Sequence, residues 1–429
     1  MSLPLVVSAY RRATALLEPA VLGLLYWRQR KGLEERTRLG ERRGHPGRER
    51  PQGHLAWVHG ASVGETLSLI PVIDRLTERG LSVLVTSGTR TSAGLIARRL
   101  PPGAFHQFVP LDVPRYLRRF LDHWRPDLTL VAESEIWPNT VLELDQRGIP
   151  LILVNGRMSD RSFRRWLRLP RIIGSLLERF ALCLAQSPQD AERLARLGAA
   201  RVVMAGNLKF DVSPPPADPR AVAQLSGCLA GRPVWLAAST HPGEEAIAVS
   251  VHRTLAQRFP NLVTIIAPRH PHRGDEIAAM ARRAGLSAGQ RSQGIPPDGA
   301  TDIYVADTMG EMGLFYRLCP IVLVGGTLVP VGGHNPIEAA KLGGAILHGP
   351  HVHNAREIYA AIDDAHGALM VQDADGLARA LDALLRDPSL TRAMARTATE
   401  VVNGLGGAVD RTMQSIEPFI VQAKIGGRR

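Results

Sequence analysis

Hydrophobic positions along this chain of 429 residues form short continuous runs that alternate with amphipathic stretches. This pattern predicts strands that alternate with helices. Strands buried on both faces show such uninterrupted apolar runs, which is typical of a parallel sheet covered by helices on either side. The first half of the chain predicts six strands, at residues 54–59, 82–87, 128–134, 150–155, 181–187 and 201–206.

A proline-rich segment, VSPPPADP at residues 212–219, interrupts this alternation. It predicts a stiff linker, because proline disfavours both helix and central strand. Helical segments are predicted from residue 375 to about residue 424, with an interruption near residues 404–407. Five further strands are predicted between the linker and these helices, at residues 233–239, 262–268, 303–307, 321–326 and 344–349. The pattern therefore predicts an α/β chain of two Rossmann-like, doubly wound parallel-sheet domains with a cleft between them.

Residues 324–340, VGGTLVPVGGHNPIEAA, predict a strand that enters a glycine-rich loop and then a helix. Glycines let a backbone approach a ligand closely, and a phosphate can lie on the free N–H groups of a helix start. A second interpretation needs no ligand. Asn335 as N-cap, Pro336 in the first turn and Glu338 three residues after the cap also form an ordinary helix start.

A similar device follows the first predicted strand, where HLAWVH enters GASVGE at residues 60–65. Ser62 and Glu65 have the spacing of a capping box, so a satisfied helix cap explains both residues. Ligands nevertheless bind at the carboxyl ends of strands in open α/β sheets, and Glu65 is predicted at such an end. Both interpretations stay open from the residues alone.

The formal net charge of +12 predicts an anionic partner: nucleic acid, anionic lipid or a phosphorylated substrate. Residues 28–50 contain nine Lys or Arg against four Glu, directly after an apolar segment at residues 13–27. A basic flank behind an apolar anchor indicates a membrane surface. Arg11, Arg12 and Glu18 interrupt the segment, which favours an interfacial helix over a spanning one.

In that helix, Tyr26 and Trp27 are predicted at the depth of the lipid headgroups. A soluble amphipathic helix packed on its own domain is the alternative. Six aliphatic side chains are predicted to point into the bilayer, those of Leu16, Leu17, Val21, Leu22, Leu24 and Leu25.

Three cysteines, Cys183, Cys228 and Cys319, lie far apart in apolar runs. They predict buried thiols in a reducing compartment rather than a disulfide framework or a zinc site. The histidines of HGPHVHN at residues 348–354 suggest a metal site, but they lack the cysteine or carboxylate partners usual at such sites. We therefore predict no metal and no cofactor.

Seven blocks occur in a fixed order along nearly the whole chain. Together they resemble the 3-deoxy-D-manno-octulosonic acid (Kdo) transferases of lipopolysaccharide core synthesis, and the N-terminal apolar segment with its basic RLGERRG continuation is similar too. The resemblance implies a GT-B glycosyltransferase that moves Kdo, with inversion, from CMP-Kdo to the lipid A precursor. The blocks are HGASVGE, AESEIWPN, VNGRMSDRSF, GNLKFD, APRHPHR, DTMGEMG and GGHNPIEAA.

The resemblance also implies roles for individual residues. Glu65 matches the family's general base, which takes the proton of the attacking hydroxyl. Glu135 and Lys209 match two positions that steady the transition state. From sequence alone, Lys209 could equally be a solvated surface lysine and Glu135 a buried hydrogen-bonded carboxylate. Glu133 is the alternative to Glu135, because it lies two residues away on the same predicted strand.

Donor binding maps to the second domain, with His270, His272 and Arg273 adding positive charge nearby. Arginine suits a phosphate or a carboxylate because of its fork of donors, and helix starts suit phosphate. The residues that match the family's donor site are Pro268, Arg269, Met309, Gly310, Glu311, Asn335, Pro336, Ile337 and Glu338.

The expected organisation starts with a membrane-associating anchor and its basic flank at residues 1–50. An acceptor-side domain (51–211), a linker (212–220), a CMP-Kdo domain (221–405) and a C-terminal helix that could cross back (406–429) follow. The expected partners are CMP-Kdo, the lipid A precursor and the anionic cytoplasmic surface of the inner membrane. No nucleic-acid partner is expected.

Three rival functions remain. A basic nucleic-acid-binding protein fits the charge, but the chain lacks a zinc finger, an RRM signature and a stacked aromatic strip. A non-catalytic sensor of the nucleotide sugar fits the fold, although Glu65, Glu135 and Lys209 are all present. A different GT-B nucleotide-sugar transferase acting on a membrane lipid is the third, and its preference for cytidine or uridine would distinguish it.

Overall fold

The structure, a computed structural model, describes residues 3–426. Its chain divides into two compact units. The first comprises the residues up to 212 together with those from 406 onward, and the second comprises residues 213–405.

Within residues 3–426, the first unit has seven parallel strands. In chain order they are β1 (Leu55–His59), β2 (Ser82–Ser87), β3 (Ala104–Phe108), β4 (Leu128–Ala132), β5 (Leu151–Gly156), β6 (Leu182–Ala185) and β7 (Val202–Met204). They are arranged in the order β3-β2-β1-β4-β5-β6-β7. The chain thus builds outward from β1 to β3, then returns to place β4 on the other side of β1.

Ten α-helices accompany this sheet in the described residues. They are α1 (Leu5–Leu16), α2 (Glu18–Arg30), α3 (Val63–Glu78), α4 (Arg90–Ile96), α5 (Pro114–Trp124), α6 (Pro138–Gln146), α7 (Asp160–Trp166), α8 (Pro170–Leu177), α9 (Pro188–Arg196) and a C-terminal helix (Ala408–Gly426).

Alternate residues of β1 point to opposite faces of the sheet and enter two separate hydrophobic cores. Ala56 and Val58 pack with side chains of α3 and of the C-terminal helix. Leu55 and Trp57 pack with side chains of α5, α6 and α8. The sheet is therefore covered by helices on both faces, as its continuous apolar strands predict.

The N-terminal segment forms two helices where one was expected. The break falls at Leu17, because Pro19 stands in the first turn of α2, where a missing N–H is tolerated, and disfavours a continuous helix. Val7 and Leu25 are buried in the protein, so Leu25 is not the lipid-facing residue that the sequence predicted. Among residues 3–426, no helix is long and apolar enough to cross a membrane.

The C-terminal helix packs within the first unit through Met413, Ile416 and Ile420. Its start is fixed by Asp211, whose carboxylate accepts the backbone N–H groups of Gly407 at 2.7 Å and Val409 at 2.6 Å. The interruption predicted near residues 404–407 is confirmed, since the preceding helix ends at Gly404.

The second unit has seven parallel strands as well. They are β8 (Val234–Thr240), β9 (Val263–Pro268), β10 (Ala288–Gln290), β11 (Ile303–Val305), β12 (Ile321–Val324), β13 (Ala345–His348) and β14 (Ala368–Met370), arranged as β10-β11-β9-β8-β12-β13-β14. The predicted fold class of two doubly wound parallel-sheet domains is confirmed.

Eight α-helices belong to the second unit in the described residues, so the C-terminal helix is numbered α18. They are α10 (Pro219–Leu229), α11 (Glu244–Ala256), α12 (Gly274–Arg283), α13 (Met312–Leu318), α14 (Ile337–Lys341), α15 (Arg356–Asp364), α16 (Ala374–Arg386) and α17 (Pro388–Gly404).

Three edge strands were not predicted from the sequence: β3, β10 and β14. Strand β10 has the sequence AGQ, which contains no apolar run, and β14 is a three-residue strand at the opposite edge of the sheet. The sequence of β3, AFHQF, carries polar residues at its centre because the strand lies at the edge of its sheet. The central strands could be predicted because they are buried on both faces, and the edge strand β7 could be predicted because Val202–Met204 is apolar although largely exposed.

Candidate functional site

The order of the first sheet reverses between β1 and β4. In doubly wound sheets, ligands bind outside the carboxyl ends of the two strands that flank such a reversal. Glu65 lies in the first turn of α3, just after β1, while Glu133 and Glu135 follow β4. The three carboxylates singled out by the sequence thus belong to the two loops that border this point.

Glu65 is held by a variant of the capping box, in which its carboxylate bonds to the Ser62 hydroxyl and to the backbone N–H of Ala61, the residue before the N-cap. The Oγ of Ser62 accepts the Glu65 backbone N–H at 3.3 Å and donates to its Oε1 at 2.7 Å. The backbone N–H of Ala61 donates to Oε2 at 2.9 Å. A carboxylate offers about four acceptor positions, so one lone pair on each oxygen stays available for a substrate proton. The cap and the general base are therefore compatible roles for one side chain.

Glu135 sits beside two ring nitrogens. The indole N–H of Trp137 donates to Oε2 at 2.5 Å, and Nε2 of His59 lies 3.7 Å from the same oxygen. Burial by itself would raise the pKa of Glu135, but the His59 imidazole and the Trp137 indole stabilise the anion and the net pKa is lowered. This residue is therefore a carboxylate held in its charged form.

The buried His59 is oriented from its other side. Its Nδ1 lies 2.9 Å from Oγ1 and 3.1 Å from the backbone oxygen of Thr86, on the neighbouring strand β2. His59 is the last residue of β1, so its ring reaches across the carboxyl edge towards Glu135. The sequence analysis did not select His59, although its position one residue before the glycine loop was a usable signal.

Lys209 pairs with Glu133. Its Nζ lies 2.9 Å from Oε1 of Glu133, so it is a partner in an ion pair and not the solvated surface lysine that the sequence left open. Glu133 also carries a backbone φ of +55°, which is uncommon for a residue with a side chain. This conformation ends β4 at Ala132, two residues earlier than predicted, and turns the Glu133 side chain out of the strand pattern.

Asn155 is a further residue that sequence reasoning missed. It is buried near the end of β5 with a φ of +53°, and its Oδ1 accepts the backbone N–H of Leu208 at 3.0 Å. Asn tolerates this left-handed conformation better than most residues. Asn155 therefore fixes the turn that carries Lys209. The Asn-Gly pair at 155–156 was the signal that could have found it.

The second sheet reverses its order between β8 and β12, and the glycine-rich loop follows β12. The fully buried carboxylate of Glu244, at the start of α11, accepts four backbone N–H groups. These come from His241 at 2.9 Å, Gly326 at 2.7 Å, Thr327 at 3.1 Å and Leu328 at 3.0 Å. Glu244 therefore organises both loops at this point of the sheet.

This finding corrects one expectation about the glycine-rich loop. The N–H groups at its start are already satisfied by Glu244, so they are not free to hold a phosphate. The helix that follows, α14, begins at Ile337, whose N–H donates to Oδ1 of Asn335 at 3.0 Å. Asn335 therefore accepts the first helical N–H, but Pro336 and not Asn335 occupies the N-cap position, one residue later than predicted. Pro336 and Ile337 are buried, and Glu338 is exposed in the first turn.

Two histidines that the sequence analysis did not select meet beside this loop. Nε2 of His241 and Nε2 of His334 are 2.9 Å apart, and their rings stack with centroids 5.1 Å apart. Burial, followed by the nearby charges of His241, Arg269 and His270, lowers the pKa of His334 to about 4. The pair forms one hydrogen bond in which one ring donates and the other accepts.

The remaining predicted donor residues follow β9 and β11. Pro268 is buried as the last residue of β9, and the exposed Arg269 donates its backbone N–H to Thr240 at 2.9 Å. Met309 is exposed and Gly310 has a φ of +85°. These residues therefore lie at the carboxyl edge of the second sheet.

Glu311 is less available than the sequence suggested. Arg291 donates to its two carboxylate oxygens at 3.0 and 2.7 Å, and Thr308 donates to it as well. The hydrogen bond from Arg291 lowers the pKa of Glu311. The carboxylate thus has a structural partner, and it is the backbone at 309–310 that stays exposed.

Two other basic side chains near this edge, those of Arg273 and His348, already contact carboxylates of the protein. Arg273 contacts the buried Glu245 at 2.6 Å and Glu276 at 3.1 Å, so its charge is balanced within the protein. His348 is buried, with Nε2 3.0 Å from Asp363. Within residues 3–426, no group of three or more His, Cys, Asp or Glu is placed to hold a metal ion.

The chain is similar in sequence to known 3-deoxy-D-manno-octulosonic acid transferases. A family model described as 3-deoxy-D-manno-octulosonic-acid transferase (kdotransferase) matches residues 37–212. The Haemophilus influenzae 3-deoxy-D-manno-octulosonic acid transferase is 32% identical over 420 residues, covering 96% of this chain and 98% of that protein. An Arabidopsis thaliana protein, "Probable 3-deoxy-D-manno-octulosonic acid transferase, mitochondrial", is 37% identical over 415 residues, covering 93% and 92%.

Similarity of fold extends to distant structures. A solved glycosyltransferase from Rickettsia africae superposes with a TM-score of 0.59 at 11% identity, covering 86% of this chain and 99% of that structure. This likeness concerns the fold alone, and it agrees with the predicted GT-B architecture.

Proposed function

The chain belongs to the 3-deoxy-D-manno-octulosonic acid transferase family, and we propose that it transfers Kdo from CMP-Kdo to lipid IVA, the lipid A precursor, with Glu65 as general base. The observation that carries this proposal is the geometry of Glu65, a carboxylate fixed by Ser62 and Ala61 at the reversal point of the first sheet. The roles of the individual residues are predictions.

In the proposed reaction a glucosamine hydroxyl of the acceptor attacks the anomeric carbon of Kdo. A bond forms between that oxygen and the anomeric carbon, while the bond from this carbon to the phosphate oxygen breaks and its electron pair leaves with CMP. The hydroxyl proton passes to Glu65. The first turn of α3 favours the ionised form of Glu65, because a helix N-terminus stabilises negative charge.

Glu135 and Lys209 complete the proposed chemistry in the first unit. Glu135, held in its charged form by His59 and Trp137, suits the positive character that develops at the anomeric carbon. Lys209, neutralised by Glu133 at rest, supplies positive charge for the departing phosphate. The Glu133 carboxylate would then act on Lys209 and not on the sugar.

The donor is proposed to bind at the carboxyl edge of the second sheet. Arg269 is exposed there and its fork of donors suits the phosphate or the carboxylate of CMP-Kdo. We expect Pro268, Met309, Gly310 and the segment 335–338 to surround the nucleotide. Glu311, already paired with Arg291, is expected to hold the loop at 309–310 in shape.

We propose that the protein acts at the cytoplasmic face of the inner membrane. Several large apolar side chains of α1 and α2 are exposed to solvent, including Leu5 at 88%, Leu16 at 80%, Tyr26 at 57% and Trp27 at 53%. An exposed apolar strip of this kind with aromatic and basic residues at its end suits the bilayer interface. The apolar body of the acceptor lies in the same bilayer.

The test combines purified protein, CMP-Kdo generated in the reaction mixture and tetraacylated lipid IVA, with lipid products measured by mass. We expect one or more Kdo additions from the wild type and none from Glu65→Ala. Equal product from both proteins would remove Glu65 from its role. A folded wild type that uses a uridine sugar and not CMP-Kdo would favour a different GT-B transferase.

A further inference from the structure

Six exposed arginines lie within fifteen residues that follow β5. We name this group the arginine surface, and it consists of Arg157, Arg161, Arg164, Arg165, Arg168 and Arg171. In the part of the chain that the structure describes, none of these side chains makes a hydrogen bond, an ion pair or a ring contact. The group is therefore a concentration of positive charge without a partner in the protein.

Arginines elsewhere on this side of the first unit are balanced by acids. Arg11 and Arg147 share the buried Glu143, and Arg179 contacts Asp145 at 3.1 Å. Asp160 is the one acidic residue within residues 157–171, and it forms an ion pair with Arg193 of α9. The six arginines of this segment thus differ from the arginines of the neighbouring helices, which share acidic partners.

The arginine surface starts at the candidate active site. Arg157 comes directly after β5, and its backbone N–H donates to the carbonyl oxygen of Glu133 at 3.2 Å. Glu133 in turn pairs with Lys209. The segment therefore runs outward from the same carboxyl edge that carries Glu65 and Glu135.

The segment is also anchored in the core, so the positions of its arginines are set by the fold. Ile173, Leu176 and Leu177 of α8 are fully buried in the cluster that includes Val7 of α1. Exposed Leu167 and Leu169 alternate with Arg168 between α7 and α8. Guanidinium groups interleaved with exposed leucines fit a ligand that is both anionic and lipidic.

We propose that the arginine surface binds the phosphate groups of the lipid acceptor, which makes it a determinant of acceptor specificity. The proposal rests on the proposed function for the identity of the acceptor, a phosphorylated glucosamine disaccharide with acyl chains. Guanidinium pairs with phosphate through two parallel hydrogen bonds, so several arginines together favour a phosphorylated over a dephosphorylated lipid. Contact with Glu133 is the reason to assign the acceptor and not the surrounding bilayer.

The experiment compares bisphosphorylated lipid IVA with its dephosphorylated form, both in non-ionic detergent micelles that contain no anionic lipid. Wild type is measured beside R164Q/R165Q/R168Q and beside R98Q/R99Q/R201Q. The second variant removes the same charge from three other exposed arginines of the first unit. Lipid binding without donor and initial rates with CMP-Kdo are both recorded.

For wild type we expect kcat/KM to be at least about tenfold higher with the bisphosphorylated lipid, since hydrogen bonds to charged groups are worth this much. We expect this ratio to fall towards one in R164Q/R165Q/R168Q through a raised KM, and to persist in R98Q/R99Q/R201Q. An undiminished ratio in the first variant would overturn the proposal. Binding to vesicles of anionic phospholipid is measured separately. If R164Q/R165Q/R168Q kept the phosphate preference in micelles but no longer bound these vesicles, the surface would be a bilayer contact.

Failure of the proposed function would give a different result. Binding that depends on phosphate and on Arg164, Arg165 and Arg168, but without any Kdo transfer by the wild type, would leave the binding surface in place and remove the reaction. Kdo transfer by the wild type without any preference for the phosphorylated lipid would support the reaction and remove the proposed phosphate-binding surface.

Discussion

Nζ of Lys209 lies 2.9 Å from Oε1 of Glu133, a residue whose backbone φ is +55°. Strained backbone positions for residues with side chains cluster at functional sites, where surrounding structure holds them in place. Here the ion pair joins the end of β4 to the turn at residues 208–210. It brings Lys209 to the carboxyl edge, and it gives Glu133 a partner different from those of Glu135, which contacts Trp137 and His59.

We predict that Glu135→Gln is more damaging than Glu133→Gln. Loss of the Glu135 charge should lower kcat about 100-fold, the scale seen when one electrostatic contact to a transition state is removed. Glu133→Gln should cost less, because it only loosens the position of Lys209. Steady-state kinetics of both folded variants decide the matter, and a larger loss in Glu133→Gln would exchange the two assignments.

The observed role of Glu65 in the helix cap and its proposed role as general base can be separated by substitution. Glu65→Gln should lower kcat by about 10² to 10⁴, the usual contribution of a general base. Ser62→Ala serves as the matched control, because it removes the helix cap at a cost of about 1 kcal/mol while leaving the carboxylate. If Ser62→Ala reduced kcat as strongly as Glu65→Gln, the role of Glu65 would be structural.

Glu244 should control the order of the glycine-rich loop. Glu244→Gln places an amide beside four N–H donors, so we expect a loss of about 3 kcal/mol from unsatisfied buried groups. Hydrogen exchange at residues 326–328 should accelerate, and KM for the donor should rise. The exposed Glu357→Gln on α15 should change neither quantity. Unaltered exchange at 326–328 in Glu244→Gln would contradict this account.

The half-buried pair of His241 and His334 predicts a pH dependence of stability. His334 has its pKa lowered from 6.5 to about 4. Between these values the unfolded chain binds the proton and the folded one does not, so the free energy of unfolding falls as pH decreases from 6.5 to 4. In His334→Gln this loss should be smaller. Thermal unfolding at several pH values measures it, with the exposed His272→Gln as control; equal pH profiles for all three proteins would exclude His334 as the cause.

Much of the fold could be predicted from the sequence, because its central strands are buried on both faces and therefore apolar along their whole length. The linker was equally visible, because three successive prolines disfavour regular structure. The edge strand β3 was not, because His106 and Gln107 give it a polar centre. Such a strand draws its stability from pairing with β2, which no local pattern records.

The sequence by itself determined the family, the alternation of strands and helices, and the local caps. Ser62 with Glu65, and Asn335 with Ile337, form their hydrogen bonds within three residues, so sequence spacing is enough to specify them. Only the tertiary structure decided the partners that are distant in the chain. Lys209 reaches Glu133 across 76 positions and Glu244 reaches Gly326 across 82, because the return of the chain to the centre of each sheet brings separate loops to one edge.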